Sequence, residues 1–182
     1  MTPRSGAEYM PSMRINRLAR VLTTLGYLAT IARPVVAQRP PPVAPRDTVL
    51  FICEHGTVRS LMATLLFERY AREAGLRMTA ISRGTAIDSV VPPWLQRALT
   101  TDHFVLGAWH PQALSATDLA SARYVVSFDL PTAISAGARS PRAQWDSLPS
   151  VSANYVAGRD AIDARVRRLV DSLKRARVGP RP

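Results

Sequence analysis

Cysteine is almost missing from this 182-residue chain: Cys53 is the only one. A single thiol excludes an intrachain disulfide framework, a zinc site built on clustered cysteines, and any redox reaction that needs two thiols of one chain. Lysine is as scarce, since all but one of the 24 basic residues are arginine and Lys174 is the exception. With 13 acidic residues the net charge is +11. The arginines are nevertheless scattered and form no lysine-rich stripe interleaved with aromatics, so no nucleic-acid partner is expected. No apolar run reaches the roughly 18 residues of a membrane span. His103 and His110 stand at no ligand spacing to each other or to acidic residues, which argues against a metal site. What is present is ordinary for a folded domain: 47% hydrophobic and 20% charged residues, too apolar for wholesale disorder.

The N-terminal region reads as an address. Arg14, Arg17 and Arg20 precede the 12-residue apolar run Val21–Ala32, and Val35 and Ala37 occupy small-residue cleavage positions before Gln38. These are the parts of a secretory signal peptide. Arg33-Pro34 blocks continuation of a helix and suits cleavage better than anchoring. Residues 1–37 are therefore expected to be a signal peptide. The product would be exported, periplasmic or secreted, with no stable membrane span after cleavage. Residues 38–46, rich in proline, form an extended spacer. Residues 47–176 are expected to be the folded domain and 177–182 a frayed tail.

Within the domain, strands alternate with helices. Thr48–Ile52 reads as a buried parallel strand. Leu61–Ala74 has helical periodicity, closed by Gly75. Arg77–Ser82 is a second strand, Pro92–Leu99 a helix, and Ser115–Ala122 a short helix capped by Ser115 or Thr117. Tyr124–Phe128 is a third strand, and Gln144 and Trp145 begin a short fourth. Asp160–Arg175 is an amphipathic helix with Ile162, Val166, Leu169, Val170 and Leu173 on one face. Such alternation argues an α/β fold with helices on both faces of a parallel sheet. Ligands of these sheets bind beyond the carboxyl ends of the strands.

The turn after the first strand is where chemistry concentrates. It reads Cys53, Glu54, His55, Gly56, Thr57, Val58, Arg59, Ser60. Backbone amides of such a loop can curl into an anion nest, and the helix that follows adds its partial positive charge. Arg59 can grip two oxygens of a tetrahedral oxyanion through its planar fork. The same positive field favours a thiolate at Cys53, a nucleophile for a bound phosphate. Ser60 can donate to the sulfur or cap the helix.

The stretch VLFICEHGTVRSLMATLLFERYA resembles the opening strand, phosphate loop and first helix of the low-molecular-weight protein tyrosine phosphatases and of the arsenate reductases that share their fold. The resemblance continues more weakly through ISRGT, ATDLASARYVVSF and the final helix. It implies a four-stranded parallel sheet flanked by helices, with the phosphate loop after the first strand. It implies a phosphomonoesterase that forms a cysteinyl-phosphate on Cys53, stabilised by Arg59 and residues 54–60, with no metal or organic cofactor. Its substrates would be a phosphorylated protein or a small aryl phosphate. The family's general acid is an aspartate before proline in a late loop. This chain has no Asp-Pro, so Asp146 (in Trp145-Asp146-Ser147-Leu148-Pro149) is the first candidate and Asp129 (in Phe128-Asp129-Leu130-Pro131) the second. Trp145, adjoining Asp146, is expected to line the cleft. Gly56 stands where asparagine is common, and Glu54 sets a negative charge beside the anion site. Two alternatives stay open: an arsenate reductase using an external thiol, and an exported, non-catalytic module binding an oxyanion or a partner.

Overall fold

The computed structural model describes residues 47–178. The expected signal peptide (1–37) and spacer (38–46) lie outside the described residues, as do residues 179–182 of the expected tail. The elements are β1 (Thr48–Cys53), α1 (Arg59–Glu73), β2 (Thr79–Gly84), α2 (Pro93–Thr101), α3 (Ala116–Ser121), β3 (Tyr124–Ser127), a 3-10 turn (Thr132–Ser135), β4 (Arg142–Gln144) and α4 (Tyr155–Val178). The four strands form one sheet in the order β2-β1-β3-β4, and every pair is parallel. This is the four-stranded α/β architecture expected.

β1 is buried along its whole length, as its apolar run requires of a central parallel strand. Successive side chains of a strand point to opposite faces, and the core divides accordingly. Val49, Phe51 and Cys53 join the larger core with Leu61, Phe67 and Ile162. Leu50 and Ile52 join a smaller one with Ala122, Val125 and Leu130. Cys53 therefore ends β1 on the face covered by α1 and α4.

Helix boundaries follow local chemistry. Gly75 adopts φ +68° just after α1, a left-handed conformation that suits glycine. Ser115 caps α3 in a reciprocal box with Asp118. Several expected boundaries moved, most by one or two residues. β2 lies two residues later because Gly84 is held by long-range partners: its amide donates to the Gln112 carbonyl (3.0 Å) and its carbonyl accepts from Leu114 (2.8 Å). β4 spans Arg142–Gln144 and so ends at the residue where it was expected to begin. α4 starts at Tyr155, five residues earlier than its apolar stripe suggests. It runs past Arg175, where Arg177 pairs with Asp47.

Candidate active site

Cys53 is buried at the carboxyl end of β1, only 4% exposed. Its sulfur accepts the Gly56 amide at 3.3 Å and lies 3.0 Å from Ser60 Oγ. Both contacts can stabilise negative charge on sulfur. Gly56 turns the loop at φ +71°, where a side chain would also strike the backbone of Gly84. No side chain caps α1, so its first amides have no such competitor for an anion.

Two residues outside the motif hold the loop. Ser82 Oγ, on β2, lies 2.8 Å from both the Gly56 carbonyl and Ser60 Oγ. Asp88, in the loop after β2, accepts from Thr57 Oγ1 at 2.5 Å and lies 3.3 Å from His55 Nδ1. Amides of the same segment reach the phosphate loop, Ala86 donating to the Glu54 carbonyl at 2.8 Å. Neither residue carried a motif of its own. The signal for Ser82 was its place at the end of a strand beside β1.

The loop opens on a cavity of about 350 Å³ lined by Cys53, Glu54, His55, Val58 and Arg59 on one side. Asp129, Leu148, Ser150, Val151 and Ser152 form the other. Gly56, Thr57 and Ser60 sit behind this surface and are buried. Glu54 is largely solvent-exposed yet borders the cavity, and His55 stands between it and Asp88.

The two candidate aspartates occupy different places. Asp129 is in the cavity wall and pairs with Arg59 Nη1. Asp146 is not among the lining residues. Its Oδ1 accepts the Asp129 amide at 3.0 Å. Partial burial pushes the Asp129 carboxyl upward. The Ser147 amide and the Arg59 guanidinium outweigh that and hold it below the usual carboxylate range. Trp145 is a correction to the sequence reading: it does not line the cleft. It is buried against Phe128 (5.5 Å between ring centroids, edge-on) and Phe51 (5.9 Å), because β4 turns it into the larger core. Among the described residues, no three His, Cys, Asp or Glu side chains are grouped to hold a metal.

Residues 48–143 match the family model described as low molecular weight phosphotyrosine protein phosphatase. That span is more than half of the chain and ends just before Asp146. No curated protein is similar enough to the sequence to count as a match. Several solved structures share the fold. A low molecular weight protein tyrosine phosphatase from Bacillus subtilis is 23% identical, with 71% of this chain and 99% of that one covered and a TM-score of 0.60. The YwlE arginine phosphatase from Geobacillus stearothermophilus is 18% identical, with coverage of 72% and 96% and a TM-score of 0.60. The thioredoxin-dependent arsenate reductase Cg_ArsC1' from Corynebacterium glutamicum is 21% identical, with a TM-score of 0.58. The alignment covers 74% of this chain but only 65% of that reductase.

Proposed function

This chain belongs to the low molecular weight phosphotyrosine protein phosphatase family, and we propose that it is a phosphomonoesterase working through a cysteinyl-phosphate intermediate. The observation that carries this reading is the sulfur of Cys53 in the wall of a cavity shared with Arg59, with the Gly56 amide and Ser60 hydroxyl on that sulfur. The thiolate attacks phosphorus, the S–P bond forms, and the bond to the leaving oxygen breaks. Arg59 and the loop amides hold the equatorial oxygens as charge develops. Water then attacks the cysteinyl-phosphate, the S–P bond breaks, and the thiolate returns.

The proton for the leaving group comes from one of the two sequence candidates: Asp146 follows the last strand, and Asp129 borders the cavity and faces Arg59. When a dianionic phosphate takes over Arg59, Asp129 loses its cationic partner and gains a negative neighbour. Both changes push its carboxyl upward, into a range where it can donate. In the second step the donor carboxylate accepts a proton from the attacking water.

A second reading concerns the leaving group. The cavity lining includes the carboxylates Glu54 and Asp129 and no Phe, Tyr or Trp side chain. That suits a positively charged leaving group better than an aryl one, and an arginine phosphatase has the same fold. An arsenate reductase of this chain would need an external thiol, since Cys53 stands alone. Export of the enzyme remains part of the proposal, on the strength of the arginine, apolar and small-residue pattern of residues 1–37.

One experiment separates these readings. The protein, without added metal, is offered an aryl phosphate, a phosphotyrosine peptide, a phosphoarginine peptide, and arsenate with a small thiol. Release of phosphate that vanishes in Cys53→Ser is expected. Release that survives in Cys53→Ser rejects the nucleophile, and thiol oxidation with no phosphate release makes the protein a reductase.

A further inference from the structure

We infer that Asp88 is a positioning residue for the phosphate loop: its amide and its carboxylate pin residues 55 and 57, on either side of Gly56, and so keep the loop amides turned toward a bound oxyanion. The inference rests on the hydrolytic reading above for the identity of that oxyanion, a phosphate.

The direction of the amides follows from where the carbonyls go. The segment after β2 runs alongside the phosphate loop and takes its carbonyls one after another. Thr85 donates its amide to the Cys53 carbonyl at 3.3 Å, Ala86 to the Glu54 carbonyl at 2.8 Å and Asp88 to the His55 carbonyl at 3.3 Å. Ser82 Oγ donates to the Gly56 carbonyl at 2.8 Å. In a planar trans peptide a carbonyl and the next residue's amide point in opposite directions. Carbonyls drawn toward β2 and the segment after it therefore turn the amides of Glu54, His55, Gly56 and Thr57 the other way. The Gly56 amide shows the sense, since it meets the Cys53 sulfur at 3.3 Å. Successive amides aimed into one hollow are what an anion needs.

Gly56 is the weak point of this row. It has φ +71° and the most backbone freedom to lose on folding, and it carries no side chain that could be tied down. Its neighbours are tied instead, and Asp88 ties both. Its amide holds the His55 carbonyl, and its Oδ1 lies 3.3 Å from His55 Nδ1. Its Oδ2 accepts from Thr57 Oγ1 at 2.5 Å, and Thr57 is fully buried. By charge alone this carboxylate is out of place, because it sets a negative group next to a site for a phosphate dianion. The Asp88 side chain is 38% exposed, so water screens the repulsion. The hydrogen bond to the buried hydroxyl is screened far less and, having a charged acceptor, is of the stronger kind. The titratable groups beside Asp88 are His55 and, beyond its imidazole at 3.7 Å from Nε2, Glu54.

The two effects have opposite signs, and the test uses that. If Asp88 acted only through its charge, Asp88→Ala would bind phosphate more tightly; if it clasps the loop, Asp88→Ala binds phosphate more weakly. Inorganic phosphate is the probe, read by calorimetry and by its protection of Cys53 from iodoacetamide. Aryl phosphate hydrolysis and thermal unfolding are followed in parallel. Asp88→Ala is expected to lose about tenfold or more in phosphate affinity, which is what a hydrogen bond to a charged group is worth, and a similar factor in kcat/KM. Asp88→Asn retains an acceptor for Thr57 and should stay within about threefold of the wild type. Thr57→Val should lose affinity too, and adding it to Asp88→Ala should cost little more, because the two partners share one bond. Phosphate affinity in Asp88→Ala equal to or above that of the wild type would overturn the inference. So would equal losses in Asp88→Asn and Asp88→Ala, or losses that add in the double variant. If Asp88→Ala does not fold, Thr57→Val decides: weakened phosphate binding supports the clasp, and unchanged binding rejects it. Binding needs no turnover, so a wild type that binds phosphate and hydrolyses nothing fails the proposed function and leaves these comparisons to decide the clasp. A wild type that binds no phosphate overturns the clasp as well.

Discussion

Replacing Gly84 by alanine tests whether the phosphate loop takes its shape from β2. An ideal Cβ at Gly84 would lie 2.8 Å from the Gly56 nitrogen, 2.8 Å from the His55 carbonyl carbon and 2.9 Å from Ile87 Cγ2. Two of these are backbone atoms of the phosphate loop, so no side-chain rotation relieves the clash. Gly84 itself is pinned on its other side by Gln112 and Leu114, so the strand cannot slide away. Overpacking of this kind costs about 1–3 kcal/mol. The loop must yield, and it carries the Gly56 amide that donates to sulfur and the amides proposed to hold the oxyanion. If that whole cost reaches the transition state, at about 1.36 kcal/mol per tenfold, kcat/KM falls roughly 5- to 150-fold. Gly137→Ala is the control, since its Cβ would only touch Leu119 Cδ1 at an ordinary 3.6 Å. It should stay within about 0.5 kcal/mol of the wild type. The assay is aryl phosphate hydrolysis alongside thermal unfolding for all three proteins. Wild-type kcat/KM in a folded Gly84→Ala protein would refute the reasoning, whatever its stability.

Two further predictions concern the frame around the site. Arg83 grips Asp118 with two hydrogen bonds, 3.0 and 3.1 Å. Burial works to raise the Asp118 carboxyl, but Arg83 and Ser115 more than offset it and hold the carboxyl below its ordinary 3.8. A lowered folded-state value means stability that is complete above about pH 4 and lost as pH falls through the folded value. Asp118→Asn should therefore cost about 2 kcal/mol at neutral pH and flatten the acid limb of the unfolding midpoint; an unchanged acid limb would count against the pair. Gly158, in α4, lies against Val151, where a Cβ would come within 2.7 Å of Val151 Cα. Gly158→Ala should push Val151 and its neighbours into the cavity and raise KM several-fold, at about 1–3 kcal/mol of stability. KM values equal to the wild type's would show that this wall does not touch substrate.

Local signals in the sequence were reliable where one residue type answers one physical need. The apolar run at Thr48–Ile52 could only be a buried strand, Gly75 could end a helix, and Ser115 could cap one. Cys53 and Arg59, six positions apart across a strand-to-helix turn, come to line one cavity. Signals failed where a distant partner decided the outcome. α4 starts early because Asn154 caps it, accepting the Ala157 amide at 3.0 Å, and because Tyr155 donates to Asp102 at 2.6 Å. An asparagine in a polar stretch offers little to distinguish it from a loop residue. Trp145 resembled a cleft residue by adjacency to Asp146, but successive side chains alternate faces at a strand end. Phe51 and Phe128 were already waiting on the inner one.

Asp129 and Asp146 are likewise separated by a distant partner. In one dimension the two are nearly equivalent: each follows an aromatic-bearing strand end and precedes a proline by a few residues. The loop that carries the chemistry leaves β1, however, and the sheet order is β2-β1-β3-β4. β3 is the immediate neighbour of β1, and β4 is one strand further out, with neighbouring strands about 4.8 Å apart. Asp129, after β3, reaches across to Arg59, whereas Asp146, after β4, meets the Asp129 amide. The placing of β3 beside β1 is fixed by pairings between residues 75 positions apart, which no local pattern encodes. It is therefore the order of the strands, more than the identity of either aspartate, that sets Asp129 in the cavity wall beside Arg59 and leaves Asp146 against the Asp129 amide.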